Sequence, residues 1–66
     1  MPSPEREEYC EKLADALYKA VTLIDFMSYE YLIPKEIAKE LKDTIEDIAH
    51  KAGCGPQYLR LTRGIR

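Results

Sequence analysis

Apolar residues recur along the first half of the chain at alternating spacings of three and four positions. Such an unbroken register predicts one long amphipathic helix. Ser3 suits the N-cap and Pro4 suits the first helical position. Pro34 disfavours helical geometry at Ile33, the residue before it, so the helix should end there. We therefore predict a helix over residues 4–32, with its stripe at Cys10, Leu13, Leu17, Ala20, Ile24, Met27 and Tyr31.

A second helical period begins at Pro34. Gly53 stands where a glycine commonly closes a helix, and Pro56 is expected to prevent the helix from restarting. We predict a helix over 34–52, followed by a non-helical basic tail over 53–66. The stripe of this second helix is formed by Ile37, Leu41, Ile45, Ile48 and Ala52.

Two helices joined by a tight break are expected to pack as an antiparallel hairpin, which makes the fold all-α. If the turn centres near Leu32, residues whose numbers sum to about 64 lie level with each other. Under this rule each level pair on the two stripes is apolar on both sides, as Leu17 and Ile48 or Ile24 and Leu41 illustrate. The two stripes are therefore predicted to face each other.

One face of the first helix remains apolar after the hairpin has formed, because its stripe is wider than that of the second helix. The simplest cover is a second copy of the chain, since most soluble oligomers are two-fold symmetric homo-oligomers. We predict a homodimer in which two hairpins complete a four-helix bundle. The candidate interface residues are Tyr9, Ala16, Leu23 and Phe26.

Size and charge restrict the other classes of protein. With 66 residues the chain forms a single domain, 1–66, whose core is marginal. No apolar run approaches the roughly 20 residues of a membrane span. The acidic, proline-bearing N-terminus is unlike a signal peptide, so we expect a cytoplasmic protein without membrane contacts. A net charge of -2 argues against a protein that binds nucleic acid with its whole surface.

Cys10 and Cys54 also obey the level-pair rule, at the open end of the hairpin. We predict that their Cα atoms lie within about 8 Å of each other, close to the range a disulfide requires. A disulfide would close a loop of about 44 residues and stabilise the fold by ~4 kcal/mol. Free thiols remain an equal alternative, because the cytosol keeps thiols reduced. A zinc site that adds His50 is a third, weaker alternative.

No catalytic motif or phosphate-binding loop occurs in the sequence, so we expect a non-enzymatic protein without cofactor or metal. The favoured function is a small homo-oligomeric adaptor or regulatory protein that acts through protein–protein contacts. The alternative is a nucleic-acid-binding module, because the tail has no acidic residue and places an aromatic side chain among arginines. The residues that would bind nucleic acid are Tyr58, Arg60, Arg63 and Arg66.

Overall fold

The computed structural model describes residues 4–63, so the predicted N-cap Ser3 lies outside the described residues. Helix α1 spans Pro4–Tyr29, α2 spans Lys35–Lys51, and α3 spans Gly55–Arg63. No strand occurs in this part of the chain, so the all-α prediction is confirmed. The prediction of two helices with a non-helical tail is wrong, because most of the tail is α3.

Helix α1 ends three residues before the predicted position, in a tight C-terminal cap. Leu32 N donates to Met27 O at 2.8 Å and Tyr31 N donates to Ser28 O at 3.1 Å. These two bonds form the Schellman pattern, which requires a left-handed residue at its centre. Tyr31 takes that role with φ 62°, although glycine usually does. Its side chain is 90% exposed, so Tyr31 does not continue the apolar stripe as the sequence had indicated.

Helix α2 ends with the same pattern, here centred on the glycine that the sequence predicted. Gly53 has φ 77°, its N–H donates to His50 O, and Cys54 N donates to Ala49 O. A Cβ atom at Gly53 would lie 2.7 Å from Nη2 of Arg6. That atom is the far end of a flexible side chain, so the left-handed backbone is what favours glycine at this position.

Helix α3 begins directly after this cap, and Pro56 is part of its first turn. Tyr58 N donates to Cys54 O at 3.1 Å, which makes Cys54 the residue that precedes the helix. The first N–H groups of a helix have no partner within it, so a proline there costs no hydrogen bond. Pro56 therefore permits the restart that it was expected to prevent.

The core lies where the three helices meet. Ala14 of α1, Ala49 of α2 and Tyr58 of α3 are buried together. Two small alanines leave room for the large aromatic ring, so α3 fits against the α1–α2 pair. Helices α1 and α2 run antiparallel, because Asp25 pairs with Lys42 near the turn and Cys10 lies beside Cys54 at the other end. Partly buried residues around this core are Leu17, Val21, Ile45, Leu59 and Leu61.

Candidate interaction surface

Helix α3 covers only one side of the α1–α2 pair. Ala14 lines a groove together with Leu61 of α3. On α2, His50 packs so closely on Gly55 that a Cβ there would lie 2.8 Å from His50 Nδ1. At about 100° of rotation per residue, Ala14 and His50 both point away from the apolar residues that remain exposed on α1 and α2.

The opposite side of the α1–α2 pair is apolar and uncovered; we call it the bare face. On α1 its exposed residues repeat every seven positions, and half-buried apolar residues lie between them. On α2 three large aliphatic side chains are between 41% and 44% exposed. The bare face consists of Tyr9, Leu13, Ala16, Ala20, Leu23 and Met27 from α1 and of Ile37, Leu41 and Ile48 from α2.

The contribution of α2 to this surface was not predicted from the sequence. The prediction placed its whole stripe against α1, whereas the buried residues of α2 are Ala38 and Ala49, with Ile45 partly buried beside them. Ile37, Leu41 and Ile48 lie about 90° around the helix from these alanines. The two alanines could have indicated the buried face of α2, because a small residue on a helix face lets a neighbouring helix approach closely.

The predicted interface residues of α1 divide into two groups. Tyr9, Ala16 and Leu23 lie on the bare face. Phe26 is 55% exposed, close to the 58% of Leu23, but it lies about 100° around the helix from the middle of that face. Exposure alone therefore does not place Phe26 with the other three.

The cysteines are joined in a disulfide, and their predicted proximity is confirmed. The Cα atoms of Cys10 and Cys54 lie 5.1 Å apart. Both residues are buried, with 2% and 0% exposure. Nearby, Arg6 Nη2 donates to the carbonyl oxygen of Ala52 at 3.3 Å. The start of α1 is thus linked to the loop between α2 and α3 by a covalent bond and a hydrogen bond.

Because Cys10 and Cys54 form a disulfide, neither supplies a thiolate ligand for the zinc site that was an alternative from the sequence. His50 instead lies 3.8 Å from a carboxylate oxygen of Glu46. Within residues 4–63, no three His, Cys, Asp or Glu side chains are grouped as a metal site requires.

The candidate residues for nucleic-acid binding do not form one surface. Tyr58 is in the core at 4% exposure, so its ring is not available for stacking on a base. Burial, and secondarily the negative charges of Glu46 and Asp25, raise the pKa of Tyr58 above its ordinary value. Arg60 and Arg63 are exposed in the last turn of α3. Arg66 lies outside the described residues.

A groove of about 480 Å³ is lined by residues of α1 and α3, beside their contact in the core. Two carboxylates and one guanidinium border it, from Glu11, Asp15 and Arg60. Oε1 of Gln57 is buried beside it and accepts no hydrogen bond from the described residues. All three charged residues are exposed, so water screens them and the groove holds no desolvated charge.

Comparisons with known proteins give no relative: no family model, curated protein or solved structure matches this chain. Among the described helices, none combines the length and the apolar character that crossing a membrane demands.

Proposed function

We propose that this protein is a small, non-enzymatic, homo-oligomeric adaptor or regulatory protein that acts through protein–protein contacts of the bare face. One observation carries the proposal: large apolar side chains are aligned and half exposed along both α1 and α2, opposite α3. A contiguous apolar surface of this kind on a small domain is typical of an interaction site.

The energetics favour covering this face. Full burial of a leucine or isoleucine contributes about 1.5–3 kcal/mol, so covering a side chain that is half exposed contributes roughly 1 kcal/mol. Leu23, Ile37, Leu41 and Ile48 each offer a gain of this size. For a domain with only a few kcal/mol of net stability, their combined burial is a substantial term.

Nucleic-acid binding is the weaker proposal, because Tyr58, the aromatic residue that would stack on a base, is buried. With Tyr58 in the core, only phosphate contacts from exposed arginines remain, and such contacts position a protein without reading sequence. Helix α1 also begins with Glu5 and Glu7, whose charges repel phosphates.

Sedimentation equilibrium at micromolar concentration tests the proposal, and Leu23 and Phe26 provide a matched pair of variants. Both are on α1 and about equally exposed, but only Leu23 lies on the bare face. We expect Leu23→Glu to dissociate the oligomer, because a carboxylate would be buried there without a partner. We expect Phe26→Glu to leave the association unchanged. Leu41→Glu repeats the test on α2, and circular dichroism checks that each variant remains helical.

Three outcomes would contradict the proposal. A monomeric parent protein would remove the role of the bare face in self-association. Dissociation by Phe26→Glu but not by Leu23→Glu would place the interface on another side of α1. DNA binding at low salt that is lost in an Arg60→Gln, Arg63→Gln double variant, with association unaffected, would favour the nucleic-acid function instead.

A further inference from the structure

We propose that a reductant reaches the Cys10–Cys54 disulfide of the folded protein through a local opening of residues 4–9, and that Arg6 is the residue that keeps this segment closed. We call residues 4–9 the α1 start. The device protects the cross-link: the bond persists in reducing surroundings for as long as the α1 start stays closed.

The α1 start is built to open separately from the core. Every residue from 4 to 9 is exposed, and Cys10 is the first buried residue of α1. Segments with few buried contacts open at a lower free energy than the whole domain does. Because the α1 start ends before Cys10, it can open while the disulfide is intact and the three helices remain packed.

Arg6 connects the α1 start to the loop that carries Cys54. Its Nη2 donates to the carbonyl oxygen of Ala52 at 3.3 Å. The same nitrogen lies 2.7 Å from the position that a Cβ atom would take at Gly53, so the guanidinium lies directly over the backbone of the loop. Arg6 therefore holds the α1 start against residues 52–54.

The two sulfurs lie beneath the same part of the loop. Sγ of Cys10 is 3.7 Å from the carbonyl oxygen of Gly53, and Sγ of Cys54 is 3.7 Å from that of Ala52. The oxygen of Ala52 thus contacts both the guanidinium of Arg6 and a sulfur. With Cys10 2% and Cys54 0% exposed, a reductant has no direct access to the bond while Arg6 is in place.

The reaction that the closed segment prevents is thiol–disulfide exchange with a dithiol. A thiolate of the reductant attacks Sγ of Cys10, the sulfur that keeps the residual exposure. The S–S bond breaks, its electron pair leaves on Sγ of Cys54, and this thiolate takes a proton from water. The second thiol of the reductant then attacks its own sulfur in the mixed disulfide and releases Cys10. Two protein thiols and one cyclic disulfide of the reductant result.

Reduction by dithiothreitol tests whether the opening is local. The oxidised parent is reduced at low urea concentrations, with dithiothreitol dilute enough that the rate is proportional to its concentration and reports the population of the open form. Free thiols are counted by alkylation and mass. Global unfolding would make the rate rise about fivefold per molar urea, because it exposes much of the surface of a small protein. Opening the α1 start exposes little new surface, so we expect less than about twofold per molar.

Arg6→Ala tests the role of the guanidinium, and charge and contact predict opposite results. A cation near the bond attracts an anionic thiolate, so loss of the charge alone would slow reduction. Loss of the contact favours the open form and should accelerate reduction about fivefold, the factor that corresponds to one hydrogen bond of ordinary net strength. The urea dependence should stay as shallow as in the parent, and circular dichroism checks that the variant remains helical.

Arg63→Ala is the matched control, because it removes the same charge from an exposed position at the end of α3. Its reduction rate should equal that of the parent. A rate for the parent that rises about fivefold per molar from the lowest urea concentrations would overturn the local opening. Unchanged or slower reduction of Arg6→Ala, or equal acceleration by Arg63→Ala, would overturn the role of Arg6.

Discussion

The disulfide between Cys10 and Cys54 should supply a large part of the stability of this domain. A domain of this size has a net unfolding free energy of about 3–10 kcal/mol. The bond joins residues 44 positions apart. In the chain-entropy model, closing a loop of that length restricts the unfolded chain by about 13 cal/mol/K, or ~4 kcal/mol at 25 °C. Removing the bond should therefore leave the domain marginally folded.

Urea unfolding measures this loss. The variants are Cys10→Ala, Cys54→Ala and the double variant, compared with the oxidised parent at one protein concentration because association also stabilises the fold. For a small protein with a slope of about 1 kcal/mol/M, the midpoint should fall by roughly 3–4 M. Each single variant should lose nearly as much as the double variant, because either one already breaks the cross-link.

Reduction of the parent protein supplies the control. The buried bond is opened in urea with a reductant, and the protein is then refolded under reducing conditions. The reduced parent should match the double variant, and the double variant should show no response to reductant. Equal midpoints for the oxidised and reduced parent would refute the reasoning, because the cross-link would then not restrict the unfolded chain.

Two further substitutions follow from local structure. Tyr31→Gly should raise the unfolding free energy by about 0.5–1 kcal/mol, because glycine adopts the left-handed backbone without strain. Tyr29→Gly, at the last residue of α1, should instead lower it, because glycine loses more conformational freedom than tyrosine in helical backbone. Denaturant unfolding distinguishes the two, and destabilisation by Tyr31→Gly would show that the tyrosine ring packs in solution. The raised pKa of Tyr58 means that the folded state binds the phenolic proton more tightly than the unfolded state does. The stability contributed by this proton is complete below pH 10, and it declines as the pH rises through the folded-state pKa. Tyr58→Phe should therefore lose less stability than the parent as the pH rises above 9, and parallel pH profiles would contradict this.

The candidate surface could be predicted in part. The heptad spacing identified Tyr9, Ala16 and Leu23, because a helix with a wider apolar stripe than its neighbour must expose some of it. The share contributed by α2 could not be found in this way, since an apolar stripe does not reveal how far it is rotated from its partner. The structure shows the rotation by burying Ala38 and Ala49, and Ala49 lies in the core where the three helices meet.

The sequence by itself determined where α1 begins, where α2 ends and which residues lie level across the pair. These features follow from local chemistry, namely a proline in the first turn, a left-handed glycine at position 53 and helical periodicity. The level-pair rule, which depends only on the position of the turn and the helical rise per residue, was sufficient to bring Cys10 and Cys54 together.

Only the tertiary structure decided that residues 55–63 are helical. Isolated helices of nine residues are unstable in water, and a five-residue pattern of apolar and polar positions fits a strand or a helix equally well. Helix α3 forms because Tyr58 becomes buried between Ala14 and Ala49. Ala14 is distant from both of the other residues in the sequence, so no local pattern reveals this contact. The same packing determined which side of the α1–α2 pair is covered, and hence which side is left for a partner.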